Sequence, residues 1–80
     1  MRVNDAVKLR IIELCQEHHI TLNKLSTICG ITQSTLNNIM SRPNATTTIS
    51  TVQKICDGLE ITILDFFTSP LFENLEQEIK

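Results

Sequence analysis

Two stretches of helical period meet across only three residues in the first half of the chain. Leu22, Leu25, Ile28 and Cys29 follow the three-to-four spacing of a helix with one buried stripe, and Leu36, Ile39 and Met40 resume it after Gly30, Ile31 and Thr32. Gly30 suits the left-handed position that ends a helix, and Thr32 suits the N-cap of the next. The chain must therefore accommodate two short helices joined by a tight turn.

The flanking sequence supplies further helices and almost nothing else. Val3, Val7, Ile11, Leu14, Cys15 and His18 mark a first helix, and Thr21 is a good N-cap for the second. Residues 41–48, SRPNATTT, are polar and contain Pro43, which predicts a loop. Ile49, Val52, Ile55, Cys56 and Leu59 mark a fourth helix ending near Gly58. Thr62-Ile63-Leu64-Asp65 has the form of a capping box opening a short fifth helix that presents Phe66 and Phe67 to the core. No internal repeat or low-complexity segment is visible. The expectation is an all-α, five-helix domain over residues 1–68.

Residues 69–80 form a short extension in which Ser69 suits an N-cap and Pro70 the first helical position. Leu71, Leu75 and Ile79 recur every four residues, with Phe72 beside the first, so the spacing predicts a helical stripe. Such a stripe needs a surface to cover it: the chain's own core, or a second copy meeting it across a two-fold axis.

Composition narrows the function classes. At 80 residues and 41% hydrophobic content the chain is one small domain, too apolar to be disordered, and it has no long uncharged apolar run for a membrane span. The opening MRVNDAVKLR carries charge where a signal peptide would need its apolar stretch, so a cytoplasmic location is expected. Cys15, Cys29 and Cys56 are widely spaced, odd in number and each beside aliphatic residues at helical spacing, which predicts buried reduced thiols rather than a disulfide framework or zinc site. His18 and His19 close the first helical pattern, where polar or cationic groups suit the negative end of the helix dipole. No cofactor, metal or small-molecule ligand is implied, and no acid cluster or nucleophile–base arrangement suggests an enzyme.

The formal net charge is −2, but its distribution is uneven. Residues 1–48 carry Arg2, Lys8, Arg10, Lys24 and Arg42 against Asp5, Glu13 and Glu17, whereas residues 49–80 carry Lys54 and Lys80 against Asp57, Glu60, Asp65, Glu73, Glu76 and Glu78. No acid lies between Glu17 and Asp57. That interval can approach phosphates without like-charge repulsion.

With Leu36 turned to the core, successive residues of the third helix rotate by about 100° each, which sends Ser34, Asn38 and Ser41 to the far side with Asn37 flanking them. Gln33, in the first turn, reaches off the helix end. Gln and Asn each offer a donor and an acceptor in one plane and can bind adenine N6 and N7 together, while Ser suits several base edges. These groups read bases; they do not catalyse.

At these residues the sequence resembles the Cro-like, or xenobiotic-response-element (XRE), helix-turn-helix transcriptional regulators. The resemblance runs over about residues 7–67, through ITLNKLSTICGITQSTLNNIM and TISTVQKICDGLEITILDFF. It implies a double-stranded DNA partner, with the third helix in the major groove and Gln33, Ser34 and Asn38, with Asn37 secondary, reading bases. It also implies phosphate contacts from Thr21, Asn23 and Lys24 at the start of the second helix, from Thr32 and Thr35 at the start of the third, and from Arg42, Asn44, Thr46, Thr47 and Thr48 before the fourth. Leu22 stands where many members carry Gln. Cys15 and Met40 stand where many pair an Arg with a Glu, and an apolar pair can replace such an ion pair at little cost.

The reading is thus a sequence-specific DNA-binding regulator of transcription, acting as a homodimer on a palindromic site, with Leu71, Phe72, Leu75 and Ile79 as the candidate dimer contacts. Two third helices would then lie about 34 Å apart. The rival class is a protein-interaction module that keeps the fold and turns the same helix face to a protein.

Overall fold

The computed structural model describes residues 1–43 and 45–79. Among them are five α-helices and no strand: α1 (Val3–Glu17), α2 (Leu22–Cys29), α3 (Gln33–Ser41), α4 (Ile49–Leu59) and α5 (Ile63–Phe67). One 3₁₀ turn, Pro70–Phe72, follows. No helix of the described residues is long and apolar enough to cross a membrane.

The helices follow one another so closely because one connector is used three times. His19-Ile20-Thr21, Gly30-Ile31-Thr32 and Glu60-Ile61-Thr62 each begin with a left-handed residue, with φ of 54°, 68° and 58°. Each isoleucine N–H then reaches back to the helix just ended, to the carbonyls of Cys15, Ser26 and Cys56 at 3.0 Å. Each isoleucine side chain packs half-buried against the core. Each threonine Oγ1 accepts the N–H three residues on, from Lys24, Thr35 and Asp65. One residue stops a helix, the next seals its end and the third starts another. The connectors share the three-residue pattern H-I-T, G-I-T and E-I-T. At Thr62 the capping box is complete, because the Asp65 carboxylate also accepts the Thr62 N–H at 3.1 Å.

The core is drawn from all five helices, with Ile11, Leu14, Leu25, Leu36, Val52, Ile55 and Phe66 fully or almost fully buried. Helix α4 packs most extensively on α2. Their approach depends on Gly58, where an added Cβ would lie 2.6 Å from Cys29 Sγ and 3.0 Å from Cys29 Cα. Helix α4 ends at Leu59, next to Gly58 as the sequence indicates, and Gly58 itself makes room for another backbone. The three thiols are buried, as expected. Burial, and then the neighbouring Cys15 and Cys56, push the Cys29 thiol up to about 11.

Several expectations are displaced. His18 is exposed rather than on the α1 stripe, and Ile49 is exposed at the start of α4. The buried residues missing from the stripe are Ala6 and Arg10, and the Arg10 Nε and Nη2 donate to the carbonyls of Phe66 (2.6 Å) and Asp65 (2.7 Å). Arg10 so satisfies the carboxy-terminal end of α5, with Glu13 and Glu17 balancing its charge. Beyond Phe72 the described chain is irregular, so Leu71, Leu75 and Ile79 do not share a helical stripe. Phe72 packs against Phe66 and Phe67 and belongs to this chain's own core, because an aromatic ring so close to α5 completes that cluster. Leu71 and Leu75 are half-buried and Ile79 is exposed.

Two glycines should fail for different reasons. Gly30→Ala meets no atom within 4 Å and suffers only from its positive φ, costing about 1 kcal/mol. Gly58→Ala gains about 1 kcal/mol of helix propensity but overpacks against the α2 backbone by about 1–3 kcal/mol, so it too is destabilising. Thermal unfolding with each 1 kcal/mol worth about 4–8 °C measures both; a Gly58→Ala variant more stable than the parent contradicts the close approach.

The thiols set an alkaline limit. A group whose pKa is raised on folding holds its proton longer in the native state, so its contribution to stability is full below the ordinary thiol value of 9.0 and declines as pH rises towards about 11. The fall in melting temperature over that window should be smaller in Cys29→Ala than in the parent.

Candidate nucleic-acid interface

The capping pattern fixes where α3 begins and so which residues it turns outward. Thr32 Oγ1 accepts the Thr35 N–H and donates to Thr35 Oγ1 at 2.9 Å, which leaves the Thr35 hydroxyl proton directed to other acceptors. Leu36 and Ile39 are buried and Met40 half-buried, whereas Gln33, Ser34, Asn37 and Asn38 are all exposed. The Ser41 hydroxyl turns back to the Asn37 carbonyl at 2.6 Å. An uncharged, hydrogen-bonding helix face results.

Beside that face runs an open groove of about 610 Å³ formed by α3, the following loop and the first turn of α4. It brings together Thr35, Asn38, Arg42, Thr46, Thr47 and Thr48 from the expected residues, and adds Thr51. Thr48 Oγ1 accepts the Thr51 N–H, and the two hydroxyls lie 3.0 Å apart. Thr21, Asn23 and Lys24 are not part of this groove; they are exposed at the start of α2, where Thr21 caps the Lys24 N–H. Asn44 lies outside the described residues. Leu22 packs half-buried against the core and offers no polar side chain to this surface.

Electrostatics separate the helix ends into two groups. The first turns of α2, α3 and α4 contain no acid, while those of α1 and α5 contain Asp5 and Asp65. At α5 the N-terminal partial charge is already answered: hydrogen bonds from Thr62 hold the Asp65 carboxyl below its ordinary value. At α3 and α4 no side-chain carboxylate does so, and the exposed Arg42 lines the groove beside them. These ends suit an external anion.

In the sequence Lys8 is only one positive charge among others. Its Nζ donates to the Arg42 carbonyl at 2.6 Å and so ties α1 to the carboxy-terminal cap of α3. Lys8 follows Val7, next to the buried stripe of α1, and that position is the one signal in the sequence that it could reach a neighbouring helix.

A family model for the Cro/C1-type helix-turn-helix DNA-binding domain matches residues 10–70. The chain belongs to that family of DNA-binding regulators. Among solved structures it is similar to one titled "Crystal structure of the prophage Lp1 protein 11", with a TM-score of 0.81 and 30% sequence identity over 94% of this chain and 100% of that one. No curated protein matches the sequence.

The caps that shape this surface are testable by themselves. Thr48→Ala should lower the free energy of unfolding by about 1 kcal/mol in urea titrations, because it orphans the Thr51 N–H at the start of α4. An unchanged midpoint would mean that the first turn of α4 is not held by this hydroxyl.

Proposed function

We propose that the protein binds double-stranded DNA sequence-specifically and regulates transcription, with α3 entering the major groove. The observation that carries this reading is the exposed face of Gln33, Ser34, Asn37 and Asn38 beside helix ends that lack acids of their own. Gln33 and Asn38 offer paired donors and acceptors to adenine, and Ser34 adds a shorter contact. Arg42 and the threonines of the groove take the phosphates, joined by Thr21, Asn23 and Lys24 at α2. Acid repulsion is low over this stretch because residues 18–56 contain no carboxylate side chain.

Few cations flank the reading face, so one domain makes few phosphate contacts. Two copies on a palindrome double them, with half-sites about 34 Å apart. Leu71, Leu75 and Ile79 offer the apolar surface that Phe72, committed to its own core, does not. An interface so small gives weak association in solution, completed when two half-sites hold the copies together.

Duplexes selected from a random library supply the test. On the selected duplex, Gln33→Ala and Asn38→Ala should each cost about 1–3 kcal/mol while leaving mixed-sequence DNA almost unaffected. Arg42→Ala should weaken both alike and reduce the salt slope by about 1. If Gln33→Ala and Asn38→Ala bind every duplex as the parent does, α3 is not the reader.

A further inference from the structure

The acidic carboxy-terminal segment does not trail away from the fold. It returns to the start of α1, where the Glu76 N–H donates to the Met1 carbonyl at 3.0 Å and the Glu78 carboxylate pairs with the Arg2 guanidinium. Arg2 itself borders the surface described above, because Arg2, Asn4, Asp5 and Pro43 line one pocket between α1 and the loop after α3. Further along α1, Lys8 holds the Arg42 carbonyl of that same loop. Arg2 occupies the N-cap position of α1 without capping it, so its side chain serves no bond within the helix.

We propose that Glu78 competes with DNA phosphate for Arg2, so that the carboxy-terminal segment restrains DNA binding from within the chain. The proposal rests on the DNA-binding reading and names a regulatory contact for it. Carboxylate and phosphate both accept the guanidinium fork, and a ligand that binds one excludes the other. The pair is weakly held, since its side chains remain 57% and 48% exposed. A duplex backbone close to Pro43 can therefore displace Glu78, and Arg2 then joins Arg42 in neutralising phosphates. Until then Arg2 is masked and Glu78 adds a repelling charge beside it.

Deleting the segment is a poor test, because the Glu76 and Glu78 carboxylates lie at the start of a helix that has no side-chain cap and they complement its dipole. Isosteric variants of the full chain avoid this. Anisotropy titrations with a mixed-sequence duplex of about 20 base pairs, two turns of DNA, are run over a range of salt for the parent, Arg2→Gln, Glu78→Gln and the double variant. Glu78→Gln should tighten binding by about two- to fivefold at low salt and steepen the salt slope by about 1. Arg2→Gln should change parental binding by less than about twofold yet abolish the whole gain in the Glu78→Gln background.

Glu73→Gln removes the same charge from the same segment and measures the general effect of acidity. If it tightens binding as much as Glu78→Gln, or if the effects of Arg2→Gln and Glu78→Gln are additive, the proposal is overturned. A Glu78→Gln chain that loses its helical circular dichroism also overturns it, by making the pair structural. A parent that binds no duplex at any salt sinks the DNA-binding reading itself, whereas a binding parent with an additive cycle sinks only the competition.

Discussion

The approach of α4 to α2 at Gly58 is the contact on which the rest of the arrangement depends. A helix that lacks one Cβ there can bring its backbone against Cys29, and no larger residue fits without moving Cys29 Cα. Because α2 is joined to α3 by a three-residue connector, holding α2 on α4 also limits where α3 can lie. The result is a third helix with Leu36 and Ile39 buried and its polar face outward, flanked by the start of α4. An isolated helix of nine residues would be marginal in water; here its conformation is maintained by caps and by tertiary packing.

The same economy sets the electrostatics. Four helices begin at a threonine cap, but only at α5 does an acid three residues on reciprocate the bond. The acid-free starts of α3 and α4 border one groove, while the acids lie in α1, at the end of α4, in α5 and in the carboxy-terminal segment. A chain of net charge −2 can therefore still present a surface without carboxylates to a polyanion. Its negative charge is placed elsewhere, and one part of it, Glu78, lies close enough to the favourable side to pair with Arg2.

Most of the fold was legible because its signals are local. Threonine caps, Gly30 and the Thr62–Asp65 box each specify a helix end within four residues, and the apolar spacing specified which faces are buried. The outward turn of Ser34, Asn38 and Ser41, with Asn37 beside them, followed from rotation about α3, and that of Gln33 from its place in the first turn. What escaped were interactions between distant elements. Arg10 reads as a surface charge until α5 brings two carbonyls to it, and Lys8 does so until Arg42 lies across from it. Gly58 marks the end of α4 in the sequence, but the pattern cannot reveal another backbone beside it. The period of Leu71, Leu75 and Ile79 was genuine, but Phe72 docks on Phe66 and Phe67, Glu76 hydrogen-bonds the Met1 carbonyl, and the chain follows those contacts instead of its helical spacing.

Backbone amide shifts, followed by NMR while a selected duplex is added to the labelled protein, test most directly whether this polar face is where DNA is held. The account predicts the largest changes at residues 32–38 and 45–51, smaller ones at 21–24, and little at α5 and residues 69–75. Changes centred on the outer side of α5, with α3 unmoved, would contradict it.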